Sequence, residues 1–327
     1  MKKFDITAAD EGKRLDRWIA KHLPALPRTQ MQKYLRLKRI KHNGRPAKPD
    51  ARLSAGDVLE FYLNDEFFVA EKKKDALLDA FRWRISAVYE DEHVLIVDKP
   101  EGMLVHPDAT EKINTLVTHA RAYLYQRGEY DSAEEGAFAP VPCNRIDRFT
   151  SGLVLVAKTR EAMLALNGAI RNHEIEKSYL AIVHGQPRPT RGLIDNYILK
   201  IPGRRKVKVY HGACEGAQRA QTRYELLETF GELSRVECTL ITGRTHQIRA
   251  QFAFLGHPLL GDGQYGDPAD LRRYGFAQQA LCAYRLTFKL DESLLDPQNP
   301  LLPLNGKSFT ANTELSTVAL SDLVARD

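Results

Sequence analysis

The feature that most constrains the fold is a series of short apolar segments after residue 88, each of the length of one β-strand. They cover residues 94–100, 152–159, 178–185, 221–229 and 234–242. Two amphipathic helices are predicted between and after them, capped by Thr159 and Thr245. Strands and helices are mixed without a regular βαβ repeat. The sequence therefore predicts an α+β domain built on a mixed, largely antiparallel sheet.

The residues before this body have a different pattern. Apolar side chains at helical spacing in residues 14–23 predict one short helix, and Thr29 is the predicted N-cap of a second. Asn43-Gly44 is a hairpin turn signal, and residues 58–63 alternate in the way of a strand. The sequence thus predicts a small α/β unit, two helices followed by a compact β element, within residues 1–63.

Positive charge is concentrated in this first unit. The formal charge of the whole chain is +6, whereas residues 21–50 hold nine lysines and arginines against one acid, Asp50. A solvated helix face is one explanation, but cations clustered beside a helix are also suited to phosphates, which they contact without reading sequence. The candidate polyanion-binding residues are Arg28, Lys33, Arg36, Arg39, Lys41 and Arg45.

Composition argues against several other classes. The apolar content is 43%, typical of globular proteins, and the longest apolar runs are too short to cross a bilayer. No signal peptide is recognised at the N-terminus. The four cysteines are widely spaced without a CxxC pair, which favours reduced thiols over a disulfide framework or zinc site. We expect a cytoplasmic monomer without a membrane partner or a bound metal.

The first candidate catalytic residue is Asp147, in the segment NRIDRFTSG (144–152). It lies at the predicted entrance of an apolar strand, between Arg145 and Arg148, and Thr150 follows. Neighbouring cations favour the ionised carboxylate, which suits a nucleophile better than a general acid. The alternative is a structural aspartate that caps a turn and pairs with an arginine.

Two further segments contain candidate residues. Tyr179 begins an apolar strand in EKSYLAIVHG (176–185) and has a ring that can stack on a base, although half-buried strand tyrosines are common. In the segment 241–266, Arg244 ends a predicted strand and Arg249 lies on the following helix. Surface arginines beside a packed helix are the alternative for these two residues.

Taken in order, these three segments resemble the motifs of pseudouridine synthases of the ribosomal large-subunit type. VLIVDKPEGMLVHP (94–107) is similar to the entry strand of that family, and the resemblance covers about residues 86–290. Residues 12–63 resemble the alpha-L RNA-binding domain, also found in a small-subunit ribosomal protein. The chain departs from the family pattern at Asn144, Ile146, Ala250 and Gln251. The predicted divisions are an RNA-binding domain (1–63), a linker (64–85), a catalytic domain (86–292) and a C-terminal extension (293–327).

The resemblance implies that uridine in RNA is isomerised to pseudouridine without any cofactor. It implies that Asp147 is the nucleophile, attacking the sugar or the base, that Arg249 pairs with it, and that Tyr179 stacks on the target base. It further implies that Arg145, next to the nucleophile, is the candidate to fill the space that the everted base leaves. Arg244 and Thr150 are the other predicted substrate-binding residues. The segment GDGQYG (261–266) fits G-x-G-x-x-G but lacks the strand and helix context of a dinucleotide site.

Other functions remain open at this stage. Large-subunit ribosomal RNA is the favoured target, and transfer RNA is the second. A non-catalytic RNA-binding protein would share the basic first unit. A glycosidase-like hydrolase would need a second carboxylate. Glu174 and Glu176 are near in sequence, but neither falls on a motif position.

Overall fold

A computed structural model of the protein describes residues 1–7, 10–68, 75–133, 136–291 and 296–324. The chain divides into two compact units, residues 1–74 and 75–327. Each unit contains buried hydrophobic clusters of its own. The two units are therefore described separately.

The first unit is a small sheet with two helices. Its strands are β1 (Lys2–Asp5), β2 (Ile40–His42), β3 (Arg45–Pro46) and β4 (Val58–Phe61), and its helices are α1 (Leu15–His22) and α2 (Arg28–Arg36). The strand order is β1-β4-β2-β3, with every pair antiparallel. A 3-10 helix, Asp65–Phe68, follows β4.

Local sequence explains these elements. The predicted turn joins β2 to β3, and both of its residues have positive φ, 50° at Asn43 and 75° at Gly44, as a type I′ hairpin turn requires. Leu15 and Ile19 of α1 are fully buried together with Leu59 and Phe61 of β4. The predicted cap of the second helix is wrong, because α2 begins at Arg28 after Pro27 and has no side-chain cap.

The second unit contains one sheet of eleven strands. Its strand order is β11-β10-β12-β13-β9-β14-β8-β6-β5, and β15 and β7 pair at its margin with β14 and β8. The strands are β5 (Ser86–Glu90), β6 (Val94–Lys99), β7 (Val141–Pro142), β8 (Ser151–Ala157), β9 (Ile175–His184), β10 (Arg191–Lys200), β11 (Val207–Tyr210), β12 (Gln218–Phe230), β13 (Leu233–Leu240), β14 (Leu281–Phe288) and β15 (Ser308–Thr310).

The predicted largely antiparallel arrangement is confirmed. Among the described strand pairs of this sheet, β14 with β8 is parallel and the others are antiparallel. The parallel contact is close. Gly152 on β8 has φ 107°, and a Cβ atom there would lie 2.3 Å from the carbonyl oxygen of Ala283 on β14. Only glycine fits this position.

The core of this unit forms two large hydrophobic clusters and a small third one, and helices lie on the two faces of the sheet. They are α3 (Ala76–Ala80), α4 (Leu116–Gln126), α5 (Arg160–Arg171), α6 (Gln247–Phe254), α7 (Asp270–Tyr274) and α8 (Leu320–Val324). One large cluster contains Leu166 of α5, and the other contains Leu116 of α4 and Phe252 of α6. The second large cluster includes Tyr179, so that face of the sheet contains the candidate site.

The helix caps of this unit were predicted with mixed success. Thr159 accepts a hydrogen bond from the backbone N–H of Ala162 at 3.1 Å, so the predicted cap of α5 is confirmed. The predicted cap of α6 is wrong, because His246, not Thr245, occupies the N-cap position, with φ 53°. Ile248 and Phe252 of α6 are buried, whereas Leu255, which follows the helix, is 43% exposed.

The described residues of the predicted linker belong partly to the first unit and partly to the second. Phe67 is buried in the first unit. In the second unit, Gln126 donates hydrogen bonds to the carbonyls of Leu78 and Phe81. The part of the predicted linker from 69 to 74, including the lysines 72–74, lies outside the described residues.

The described part of the predicted C-terminal extension is largely apolar on its inner side. Leu301, Leu304, Leu320 and Leu323 are almost fully buried in the same cluster as α5. The longest described helix, α5, has 12 residues, and no helix in the described ranges has the length and apolarity needed to cross a membrane.

Candidate active site

Asp147 lies in the loop between β7 and β8, and its side chain is 26% exposed. Lys99, at the end of β6, is hydrogen-bonded to the backbone of this loop. Its ammonium donates to the carbonyls of Pro100 (2.9 Å), Met103 (2.8 Å) and Arg148 (3.1 Å). Burial lowers the pKa of Lys99 to about 8, although the negative charge of Asp147 acts to raise it. The residue beside Asp147 is therefore tied to the strand end through a buried cation.

The guanidinium of Arg249 lies against the Asp147 carboxylate. Nη1 of Arg249 donates to Oδ2 of Asp147 at 3.0 Å. Its other nitrogens bind Asp262 through two parallel hydrogen bonds, Nε to Oδ2 at 2.7 Å and Nη2 to Oδ1 at 2.8 Å. Nη2 also donates to Oε1 of Gln264 at 2.8 Å. Arg249 is thereby fixed by groups from the GDGQYG segment while one nitrogen faces Asp147.

Burial makes this arrangement electrostatically strong. Arg249 is 5% exposed and Asp262 is fully buried. Burial alone disfavours both charged forms, but the hydrogen bonds and the opposite charge outweigh it. The pKa of Arg249 is therefore raised, and that of Asp262 is lowered. Asp262 also accepts backbone N–H donors from Gln264 and Tyr265. A paired, hydrogen-bonded carboxylate of this kind stays ionised in the interior.

His246 is a further group beside Asp147. Its Nε2 lies 3.8 Å from Oδ2 of Asp147, and its Nδ1 lies 3.1 Å from the hydroxyl of Tyr265. That hydroxyl already accepts the backbone N–H of Val207 at 2.8 Å, so its own hydrogen is free to be donated to Nδ1. This favours the tautomer with hydrogen on Nε2, towards Asp147. Burial, more than any neighbouring charge, lowers the pKa of His246.

Two cavities meet at Asp147. One, of about 290 Å³, is lined by Tyr179 and by apolar side chains such as Ile146, Leu240 and Ile248. This volume is at the lower end for small-molecule cavities, ~300 Å³. Tyr179 is 7% exposed, and burial followed by the charge of Asp147 raises the pKa of its hydroxyl. The cavity thus combines a flat apolar wall with one carboxylate.

The second cavity, of about 470 Å³, shares Asp147 with the first and has several cations around it. Arg145, Arg148 and Arg205 line it, and each is exposed. Arg205 lies in the basic turn between β10 and β11, a segment that the sequence analysis did not single out. These arginines give a positive rim to the opening that leads to Asp147.

The predicted substrate-binding residues differ in their placement. Arg145 lines both cavities. Arg244 is exposed, lines the smaller cavity and donates from Nε to the carbonyl of Arg219. Thr150 is 2% exposed, and its hydroxyl lies 3.4 Å from the amide nitrogen of Gln279. Glu176, considered for a hydrolase, pairs with Lys289 and lines neither cavity.

The predicted phosphate-binding cations belong to the first unit and are mostly exposed. Arg28, Lys33 and Arg36 lie on α2, and Lys41 and Arg45 lie on β2 and β3. Arg39 precedes β2. Five of the six are exposed, and Lys41 is partly buried with its ammonium 5.0 Å from the centre of the Tyr62 ring. Their side chains are therefore available to a polyanion.

Sequence reasoning missed the groups that hold the central arginine and the buried cation beneath the loop. Asp262, Gln264 and Tyr265 all lie in GDGQYG, which was considered only as a nucleotide-binding pattern. The sequence did contain a usable signal, because this segment places an aspartate and a tyrosine among glycines. The segment follows Arg249 after the rest of one short helix and a turn. Lys99 was predicted only as part of a strand.

Comparison with known proteins identifies both units. Residues 13–59 match the model of the S4 domain, and residues 93–254 match the model of the RNA pseudouridylate synthase family. The first unit is thus an RNA-binding module, and the second has the catalytic fold that the motif resemblance implied. The chain belongs to the RNA pseudouridine synthase family.

Individual relatives agree with this assignment. The chain is 34% identical over 269 residues to the uncharacterized RNA pseudouridine synthase YlyB of Bacillus subtilis, covering 81% of this chain and 84% of that protein. It is 36% identical over 236 residues to ribosomal large subunit pseudouridine synthase D of Zymomonas mobilis, covering 71% and 69%. The structure of human RNA pseudouridylate synthase domain containing 4 has a TM-score of 0.53 at 21% identity, covering 69% and 88%. That last likeness concerns the fold.

Proposed function

We propose that this protein converts specific uridines of large-subunit ribosomal RNA to pseudouridine, with Asp147 as the nucleophile. The observation that carries the proposal is the position of its carboxylate, partly exposed where two cavities meet and 3.0 Å from the buried guanidinium of Arg249. A nucleophile must be ionised, oriented and reachable, and this arrangement supports all three requirements.

In the proposed reaction the target nucleotide leaves its stack and enters the smaller cavity. Leaving the stack costs a few kcal/mol, which contacts to the enzyme must offset. Arg145, exposed and beside the nucleophile, is suited to occupy the vacated space in the RNA. The ring of Tyr179 forms one wall of the cavity and is suited to stack on the uracil.

The chemistry rearranges bonds within one nucleotide. The N1–C1′ bond breaks, the uracil rotates, and C5 bonds to C1′. The proton that C5 then loses is balanced by one that N1 takes up, and any bond to Asp147 formed on the way is broken again. Asp147 attacks either C1′ or the base, and Arg249 keeps its carboxylate ionised and oriented throughout. The positive rim formed by Arg148 and Arg205 supports binding of the flanking phosphates.

Replacement of the nucleophile tests the proposal. We expect Asp147→Asn to abolish pseudouridine formation while folding and RNA affinity remain close to those of the wild type. Tritium release from 5-tritiated uridine in ribosomal RNA measures turnover. Asp195→Asn is a matched control, because Asp195 also pairs with an arginine, Arg219, but lies away from both cavities. Turnover by Asp147→Asn at the wild-type rate would refute the assignment.

The target and the reaction class need separate measurements. Mapping of pseudouridines in total RNA from cells lacking the gene distinguishes ribosomal from transfer RNA. Loss of sites in transfer RNA alone would contradict the proposed target. Release of free uracil would instead identify a hydrolase. RNA binding without turnover by the wild type would identify a non-catalytic protein. We further propose that the enzyme acts in the cytoplasm as a monomer.

A further inference from the structure

Lys177 is a partly buried cation that lines the smaller cavity and has no role in the proposed mechanism. It lies on β9 two residues before Tyr179, and both residues line the cavity. Its neighbours across the sheet, Leu240 on β13 and Leu286 on β14, are apolar. The side chain is thus held on a central strand at the wall of the proposed uridine site.

No acid in the described part of the chain pairs with this cation. Among the described residues, Lys177 has neither an ion pair nor a side-chain hydrogen bond, whereas Lys99 is fully satisfied by three carbonyls. Burial lowers the pKa of Lys177, and no carboxylate among the described residues offsets it. Lys177 is partly buried, so an ammonium without a partner there loses part of its hydration and costs some folding free energy. Such a group is expected where a negative charge arrives with the ligand.

The charged and titratable groups that line the same cavity do not supply this charge. They are Cys143, Arg145, Asp147, Tyr179, Arg244, His246 and Arg249. Asp147 is the carboxylate of this set, and Arg249 already neutralises it at 3.0 Å. The cavity therefore retains a surplus of positive charge on the face of β9.

We propose that Lys177 donates a hydrogen bond to a carbonyl oxygen of the everted uracil and stabilises the negative charge that the ring acquires during the reaction. This inference rests on the proposed function. When the N1–C1′ bond breaks, its electron pair remains on the uracil and spreads to the carbonyl oxygens. If Asp147 instead adds to C6, the displaced pair moves to O4. In either case the charge forms on the ring, Lys177 keeps its proton, and C5 later loses its own.

A ring carbonyl fits the position better than a backbone phosphate does. The apolar lining of Ile146, Leu240 and Ile248 suits a pyrimidine ring, and Tyr179 adds a surface for stacking. The exposed arginines Arg145, Arg148 and Arg205 are placed at the surface, where phosphates are bound. Electrostatic stabilisation in a low-dielectric cavity is strong because the cation is held in place before the charge develops.

The test compares chemistry with binding. Lys177→Met removes the charge at nearly constant length. We expect kcat to fall about 100-fold, the usual effect of removing one charge-stabilising donor, with the Kd for RNA changed less than about twofold. Because the unpartnered charge is gone, the melting temperature should be equal or higher. Lys177→Arg should recover part of kcat. Single-turnover tritium release and filter binding on the RNA that the wild type modifies measure these quantities.

The other outcomes are decisive as well. Unchanged kcat in Lys177→Met would overturn the proposal. A weaker Kd with a shallower salt dependence and normal kcat would identify a phosphate contact and overturn it too. Lys177→Gln serves as a second neutral variant if the Met variant does not fold. Lys289→Met, which removes an exposed lysine outside the cavities, is the charge-matched control. Lack of turnover by the wild type would count against the proposed function itself.

Discussion

At the scale of single residues, the proposed nucleophile depends on groups that do not touch it. Asp147 is oriented by Arg249, and Arg249 is held by Asp262 through two short hydrogen bonds. The second acid is fully buried, so its contribution is not screened by solvent. We expect Asp262 to act as a positioning residue, whose effect on the proposed reaction is transmitted through Arg249.

The first residue-scale prediction concerns this second acid. Asp262→Asn should lower kcat at least about tenfold, because Arg249 loses the partner that fixes it. Removing one partner of a buried ion pair should also lower the unfolding free energy by about 3–5 kcal/mol. Urea denaturation and tritium release measure the two effects. Glu237→Gln, which breaks the Arg285 pair outside the cavities, is the control, and normal kcat in Asp262→Asn would contradict the assigned role.

The same acid predicts a pH dependence of stability. The pKa of Asp262 in the folded protein is lowered below its ordinary value of 3.8. Its stabilising contribution is therefore complete above pH 3.8 and is lost as the pH falls through the folded-state value. The difference in unfolding free energy between wild type and Asp262→Asn should be constant from about pH 5 to 8, the range in which protein stability is generally maximal. It should shrink below pH 3.8. A difference that grows on acidification would contradict this.

At the scale of elements, helix α6 is attached to the sheet by buried amides. Gln251 donates to Oδ1 of Asn196 (2.9 Å) and to the carbonyl of Ala220 (3.0 Å), and it accepts the hydroxyl hydrogen of Thr222 (2.6 Å). Gln251 is one of the positions at which the sequence departs from the motif pattern described above. Because Arg249 lies on the same helix two residues earlier, these bonds define where its guanidinium reaches the site.

The element-scale prediction follows from these bonds. Gln251→Leu removes the donor to the buried amide oxygen of Asn196 and the acceptor of the Thr222 hydroxyl hydrogen. Each buried polar group left unsatisfied in this way costs about 1–3 kcal/mol. We expect a lower unfolding free energy and a reduced kcat, measured by urea denaturation and tritium release. Leu255→Ala, at an exposed position after the same helix, should change stability by less than about 0.5 kcal/mol. Wild-type stability of Gln251→Leu would show that the network does not hold the helix.

At the scale of the whole molecule, the two units have separate cores and different tasks. The first unit exposes most of its predicted phosphate-binding cations, and the second contains the candidate site. The C-terminal residues belong energetically to the second unit, because Leu304 and Leu320 fill its core. The exact domain boundaries proposed from sequence remain a prediction.

The prediction at this scale concerns salt. Deletion of residues 1–74 should leave the second unit folded but weaken RNA binding. The slope of log K against log salt should become shallower by about 0.7–0.9 for each phosphate that the shortened protein no longer neutralises. Filter binding at several salt concentrations measures this. Replacement of Lys33 and Arg36 by Gln in the full chain should change the slope in the same direction by less. An unchanged slope would contradict a role of the first unit in binding phosphates.

Much of the secondary structure could be predicted because its signals are local. The apolar strands, the Asn43-Gly44 turn and the Thr159 cap depend on side chains and φ angles within a few residues. The start of α6 was misplaced for a reason that is not local. His246 adopts a left-handed backbone while its ring contacts Tyr265, a residue that follows the helix.

The sequence by itself determined the class of fold, the two kinds of unit and the ordered motifs around Asp147, Tyr179 and Arg249. It did so because periodicity, turn chemistry and charge clustering are written in neighbouring residues. Only the tertiary structure decided which groups surround the carboxylate. The hydrogen-bond partners that hold Arg249 are Asp262 and Gln264. The position of β9 in the sheet brings Lys177 to the wall of the smaller cavity. Distances between such groups depend on how strands and loops pack together, which no local pattern specifies.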